Sequence, residues 1–429
     1  MAIEINIKDA CVNGGYQPKN LAYDETIIFP NSRKCTRYGH DVYNRYPARS
    51  SFYVPRAILQ NFNEGAKVLD PFMGSGTTAV EASLIGAEIY GAELDPFARL
   101  IAETSIYRFS QDEELILQKT FKHIIENMKS YKTDANLRPN LFNVDYWFHE
   151  DVFEELLRLK TIIFNELPEG KIKNFFKIVF ADSIKPASKM ERQSTKPYIS
   201  SKYEKKVKPV IESFSYSFNK HLQSNLAYKD SQSTEISWLS YDATNIVTSP
   251  PGGIDVAITS PPYLNAFDYS QLIKVESSWL GTTNDAHIKE LRKGQVGHDK
   301  RIGTYDKLPD VIGLFSGYRE LLAAAPSKKS ESQKEKLISS CEHYYIDMYK
   351  NMTSIHNVLR KGGEYHIIVG DNIVSGVNIK THKILMQISE IVGFQLQQFY
   401  KYPIKDHRTS IPRDNSQKIS YEYVLGLKK

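Results

Sequence analysis

Residues 66–96, AKVLDPFMGSGTTAVEASLIGAEIYGAELDP, decide the fold. Ala66 to Leu69 form a short apolar run that predicts a strand. Gly74 and Gly76 mark a turn, and TTAVEASLIG has helical spacing closed by Gly86. A second strand-like run, EIYGAEL, leads into a helix beginning near Pro96. Strand, turn, helix and strand in this order predict a parallel sheet with helices packed on it.

The chemistry of the turn narrows what such a sheet holds. Glycines allow tight turning and close backbone approach, and the following helix offers free N–H groups. No Gly-Lys-Ser/Thr follows the glycines, so this is not a phosphate-binding loop, and the third glycine of the dinucleotide fingerprint is missing. The acid instead precedes the glycines, at Asp70, where it can pair with an ammonium group. Glu93 ends the second strand, where a carboxylate can accept hydrogen bonds from ribose hydroxyls. A ligand with an ammonium group and a ribose but no pyrophosphate suggests S-adenosylmethionine. A third acid, Asp242, follows the strand-like EISWLS; it is placed to accept from an adenine amino group, and equally to initiate a turn in SYDATN.

Further along, the pattern changes and then resumes. From about Gln111 to Lys220 long amphipathic runs such as DYWFHEDVFEELLRLKTIIFNEL predict helices, and strand signals are scarce. The open-sheet pattern returns with EISWLS, IDVAITS, EYHIIVGD and YEYVLGLKK, with HKILMQISEIVG as an intervening helix. The expected organisation is therefore a cofactor-loop part over 1–110, a helical insert over 111–230 and a second part of the same sheet over 231–429. Within the insert, residues 185–208 hold eight basic residues (Lys185, Lys189, Arg192, Lys196, Lys202, Lys205, Lys206, Lys208) against Glu191 and Glu204. Interleaved Ser, Thr and Tyr suit phosphate contact, with Lys202, Lys205 and Lys206 as the candidates; a solvated loop has the same composition. Arg408 and Arg413 in DHRTSIPRD form a second basic candidate.

The bulk properties set outer limits. A chain of 429 residues can bury a sizeable core, and its net charge of +5 is mild unless it is concentrated locally. Cys11, Cys35 and Cys341 lie far apart without a CxxC pair, which points to neither a disulfide framework nor a metal site, and fits a reducing, cytoplasmic setting. No apolar run approaches the ~18 residues needed to span a bilayer.

The second decisive stretch is DVAITSPPYLNAFDYSQL, Asp255 to Leu272. An apolar strand stops at Ser260-Pro261-Pro262-Tyr263. Prolines lack the N–H that a sheet interior needs and hold φ in a rigid turn, leaving carbonyls free to accept. A serine hydroxyl, fixed carbonyls and an aromatic face at the mouth of a strand suit a planar ring that carries an NH₂ group.

Taken together, DPFMGSGTT, GAELDP and TSPPY resemble the exocyclic-amine DNA methyltransferases, and the Ser-Pro-Pro-Tyr form resembles their N4-cytosine branch. RYPARSSFYVPRAIL upstream, and LNAFDYSQLIKVESSWLG and GGEYHIIVGDN downstream, extend the resemblance over parts of 40–105 and 236–429. It implies an α/β, Rossmann-like, doubly wound and mostly parallel seven-stranded sheet with an inserted helical region. It also implies that Asp70, Phe72, Gly74, Gly76 and Thr77 surround the methionine part of S-adenosylmethionine, that Glu93 holds the ribose and Asp242 the adenine. Ser260, Pro261, Pro262 and Tyr263 would form the catalytic loop acting, without a metal, on the N4 amine of a cytosine flipped out of double-stranded DNA. A companion restriction endonuclease acting on the same site would be the partner protein. The cofactor loop here precedes the catalytic loop, whereas many N4-cytosine enzymes have the opposite order; this bears on target recognition rather than on the chemistry. The rival readings are an adenine-N6 DNA methyltransferase, an RNA base amine methyltransferase, and a catalytically silent DNA-binding partner.

Overall fold

The computed structural model describes residues 2–4, 26–30, 37–43, 45–47, 49–191, 196–228, 235–264, 268–301, 311, 313–327, 329–404 and 419–429. Its first elements are β1 (Ala2–Glu4), β2 (Thr26–Ile28), α1 (Tyr53–Leu59), β3 (Lys67–Asp70), α2 (Thr77–Leu84), β4 (Glu88–Ala92) and α3 (Pro96–Ser105). The helices α4 (Gln111–Asn127), α5 (Val144–Trp147), α6 (Glu150–Glu166), α7 (Lys171–Ala187) and α8 (Val210–Leu226) follow, then β5 (Ile236–Ser240) and β6 (Ile254–Thr259). Next come α9 (Tyr269–Leu272), α10 (Lys274–Leu280), α11 (Asp285–Gly294), α12 (Ser316–Ala324) and α13 (Glu331–Val358). The chain finishes with β7 (Leu359–Gly370), the hairpin β8 (Asn372–Val374) and β9 (Val377–Ile379), α14 (Thr381–Val392), β10 (Gln395–Pro403) and β11 (Tyr421–Lys428).

Among the described residues one sheet of nine strands runs in the order β1-β2-β10-β11-β7-β6-β3-β4-β5. The expected seven strands are the run from β10 to β5; the short β1 and β2 extend that edge by two. β11 lies antiparallel to both of its neighbours, and the other pairings are parallel. β3 is the switch strand: the chain adds β4 and β5 on one side of it and β6 and β7 on the other, which opens a crevice at the carboxyl ends.

Alternation along the strands separates two cores. Leu69, Ala257, Tyr365 and Ile367 face one side with α13 and α14, while Val68, Val256, Ile258 and Ile368 face the other with α1 and α2. The helical region at 111–226 builds a third core, rich in phenylalanine from α7 and α8. Phe97 and Ile101 of α3 and Val275 and Trp279 of α10 enter the same core, so the insert is packed onto the sheet's own helices. Gly76 shows how tightly this is fitted: its φ is +81°, and a Cβ there would stand 2.9 Å from Ala102 Cα of α3.

Candidate active site

Every candidate ligand-binding acid sits at a strand end, because parallel strands deliver their C-terminal residues to one rim. Asp70 ends β3 and is 4 % exposed; its Oδ1 accepts from the backbone N–H of Phe72 at 3.0 Å and from Thr259 Oγ1 at 2.6 Å. Thr259 is the last residue of β6, directly before Ser260. One carboxylate thus joins the glycine loop to the proposed catalytic loop. Burial raises the Asp70 pKa to about 6 against the pull of these hydrogen bonds.

Glu93 follows β4 and bridges two turns. Its Oε2 accepts from Gly74 N at 2.7 Å and its Oε1 from Asp95 N at 2.9 Å. Burial is again the main influence and lifts its pKa to about 7. Gly74, at φ +51°, is the glycine whose amide serves this bridge; a Cβ there would make only ordinary contact with Tyr46. The two glycines therefore differ in role, Gly76 for helix packing and Gly74 at the pocket wall. Asp95 caps α3 through the amides of Phe97 and Ala98.

These groups line an open cleft whose empty space, mouth included, is about 950 Å³. Asp70, Phe72, Gly74, Thr77, Glu93, Asp242, Ser260 and Pro262 all contribute to its walls. Of the residues singled out from sequence, Gly76, Pro261 and Tyr263 do not line it: Gly76 lies behind the loop and Pro261 is buried. Tyr263, half-buried, donates its hydroxyl to Glu422 Oε1 on β11. Tyr46, Arg49 and Ser50 from the RYPARSSF stretch, and Tyr269 and Ser270 from α9, also line the cleft.

Two arginines that brace the elements around Asp242 escape sequence reasoning. Asp242 Oδ1 accepts from the amide and hydroxyl of Thr244, both at 2.8 Å, so the turn in SYDATN forms; the carboxylate also borders the cleft. Arg301 reaches Asp242 at 3.4 Å, Asp347 of α13 at 3.1 Å and the carbonyl of Gly294, tying the β5 turn to the end of α11, where Leu291, Gly294, Gln295 and Val296 line the cleft. Arg99 performs a similar task between β4 and β5, donating to the carbonyls of Glu93 and Ser240 at 2.7 Å each while its guanidinium lies 3.6 Å over the exposed Tyr241 ring. No local pattern in LRKGQV or PFARL announces these roles.

The basic segment divides. Lys202 and Lys206 are exposed. Lys205 is committed elsewhere: its ammonium donates to the carbonyls of Lys185, Ser188 and Met190, each at 2.7 Å, and closes the end of α7. Lys185 is itself buried within α7. Arg408 and Arg413 lie outside the described residues. Among the described residues no group of three or more His, Cys, Asp or Glu gathers as a metal site, and no helix is long and apolar enough to cross a membrane.

Comparison with known proteins adds to this geometry. A family model described as DNA methylase, for N6 and N4 methyltransferases, matches residues 20–104, the span that holds the glycine loop, Glu93 and the RYPARSSF wall. The chain is 23% identical over 425 residues to the Type II methyltransferase M.MvaI of Kocuria varians, an alignment that takes in 90% of each protein. It is 23% identical over 310 residues to the Type II methyltransferase M.BsoBI of Geobacillus stearothermophilus, covering 64% of this chain and 59% of that one. A shorter match, 24% over 158 residues, joins it to the Type II methyltransferase M.AvaI of Anabaena variabilis.

Proposed function

This chain belongs to the exocyclic-amine DNA methyltransferases, and on that premise we propose that it methylates the N4 amine of cytosine at a defined site in double-stranded DNA with S-adenosylmethionine as donor. The observation that supports this reading is the hydrogen bond from Thr259 Oγ1, at the end of β6 directly before Ser260, to the Asp70 carboxylate that begins the glycine loop.

The acids of the cleft support this choice of donor. Asp70 would supply an acceptor for an ammonium group, Glu93 retains lone pairs for ribose hydroxyls beyond those given to Gly74 and Asp95, and Asp242, on the cleft wall, would accept from the adenine amine. When bound, S-adenosylmethionine supplies a methyl group on an electrophilic sulfonium. The protein's part is to prepare the amine. The lone pair of a cytosine N4 amine is delocalised into the ring, so it attacks poorly while planar. Ser260 Oγ and the Pro261 carbonyl, as acceptors for its two N–H bonds, let the nitrogen pyramidalise. Pro261 and Pro262 hold those acceptors so that little reorganisation accompanies the transition state. Positioning of this kind is worth up to about 7–11 kcal/mol. Tyr263 offers its ring face to the flipped base, offsetting part of an unstacking cost of a few kcal/mol.

In this reading the helical region 111–230 reaches along the DNA, with Lys202 and Lys206 on its phosphates, and the methylated site resists a companion restriction endonuclease. Incubation with methyl-labelled S-adenosylmethionine should move label into duplex DNA and leave RNA unlabelled. Changing Lys202 and Lys206 to alanine should lower the slope of log affinity against log salt by about one unit per lysine. An unchanged slope removes both residues from the interface, and label in RNA alone overturns the substrate.

A further inference from the structure

Tyr263 is the catalytic-loop residue whose surroundings the chemistry above leaves unused. Its hydroxyl donates to Glu422 Oε1 at 2.5 Å, and the hydroxyl of Tyr402 on β10 donates to Glu422 Oε2. Glu422 lies on β11, where it pairs in register with Gly370 at the end of β7 on one side and with Tyr402 on the other. The Tyr263 ring lies against that glycine: a Cβ at Gly370 would stand 3.5 Å from its Cε1 and Cζ. One residue further along the loop, the Leu264 carbonyl accepts from Asn372 Nδ2 at 3.2 Å, and Asn372 is held in turn by Thr381 Oγ1 at 2.9 Å.

We infer that Glu422 is a positioning residue for the methyl transfer: clamped by Tyr402 on one oxygen, it fixes the Tyr263 ring with the other, so that the ring presents one rigid face to the target base. This rests on the proposed role of the Ser-Pro-Pro-Tyr loop and deepens it. A carboxylate with one oxygen occupied cannot rotate away from the second donor, and hydrogen bonds to an ionised acceptor are about twice as strong as neutral ones. Burial, with the Glu422 charge beside them, raises both phenols well above their usual range, so both remain protonated donors. The Tyr263 hydroxyl is therefore not the group that takes the amine's proton; the residue acts through its ring. The clamp also explains why the loop needs support from β11, two strands away from β6 in the sheet. Pro261 and Pro262 fix the backbone before Tyr263 but place no constraint on its χ angles, whereas a bond from its hydroxyl to a neighbouring strand does.

The test is a double-mutant cycle of Tyr263→Phe and Glu422→Gln, with Glu422→Ala as a third variant, on a long unmethylated duplex. Turnover, S-adenosylmethionine affinity by calorimetry and KM for DNA are measured for each. Tyr263→Phe and Glu422→Ala should each lower kcat about five- to ten-fold with cofactor affinity within two-fold of the parent, and Glu422→Gln, which keeps an acceptor, should lose less than Glu422→Ala. The Tyr263→Phe/Glu422→Gln double variant should be no slower than Tyr263→Phe alone, because the two changes remove one interaction. Independent, multiplicative losses overturn the clamp, as does parental kcat in Tyr263→Phe. Either result leaves the parent's transfer of label to DNA intact; a parent that labels no DNA is instead a failure of the functional reading.

Discussion

Replacing Asp182 by alanine is expected to lower the unfolding free energy by about 3–5 kcal/mol, the range for removing one partner from a buried ion pair. Asp182, on α7, is 5 % exposed and meets three basic groups: Arg45 at 2.8 Å, and Lys220 and His221 of α8 at 2.9 and 3.1 Å. Arg45 also donates to the Asp182 carbonyl at 2.6 Å. Burial alone would raise this carboxyl, yet Arg45, Lys220 and His221 outweigh it and hold the pKa well below the usual range. Because the folded pKa is depressed, the stabilisation is present above the unfolded value of about 3.9 and is lost as pH falls through the folded one. The alanine variant leaves the half-buried Arg45 and Lys220 without their acid, so the loss should be full at pH 7 and shrink in strong acid. Arg45 directly precedes Tyr46, a cleft-lining residue, so the same change should disturb the cofactor wall. Urea denaturation at pH 7 checks the magnitude, and a loss under 1 kcal/mol would mean that water already compensates these cations.

The second large effect concerns Asp70. Asp70→Asn keeps the side chain's size and removes its charge, and should weaken S-adenosylmethionine binding by about 2–5 kcal/mol, or roughly thirty-fold to several thousand-fold. The pH dependence follows from the raised pKa values. Burial places Asp70 at about 6 and Glu93 at about 7 in the ligand-free cleft, and both must be charged to serve an ammonium group and ribose hydroxyls. Parental affinity should therefore be level in mild alkali and decline as pH drops through 7 and then 6. In Asp70→Asn the lower of these two steps should vanish. Calorimetric titration at pH 8, 7 and 5.5 measures both effects; equal affinity at all three would detach the acids from the cofactor.

Much of this arrangement is legible in the chain because the decisive signals are local. A four-residue strand, two glycines and a helical repeat suffice to place β3 and α2, and two prolines suffice to end β6 before Ser260. What escapes is set by partners distant in sequence. β10, QLQQFYKYP, mixes glutamine and lysine with aromatics; its strand identity comes from pairing with β11 and not from its own alternation. β7 begins at Leu359, five residues before EYHIIVGD, because the Ile254–Leu359 pairing adds a bulged lead-in. Lysines offer the same ambiguity at the level of single residues. Lys202 and Lys205 are alike in the sequence, and only the fold reveals that Lys205 is spent on three carbonyls at the end of α7. Arg99, Arg301 and Glu422 acquire their roles in the same way, from a turn, a helix end or a loop far along the chain.

The central claim is the base that receives the methyl group. The acceptors proposed for it, Ser260 Oγ and the Pro261 carbonyl, stand at the end of β6, beside the cleft that Asp70 and Glu93 line. Both cytosine and adenine present an amine next to a ring nitrogen, so the product itself is the decisive observable. Duplex DNA methylated by the purified protein, digested to nucleosides and resolved by mass spectrometry, should contain N4-methylcytosine as the methylated nucleoside. N6-methyladenine in its place would contradict the account.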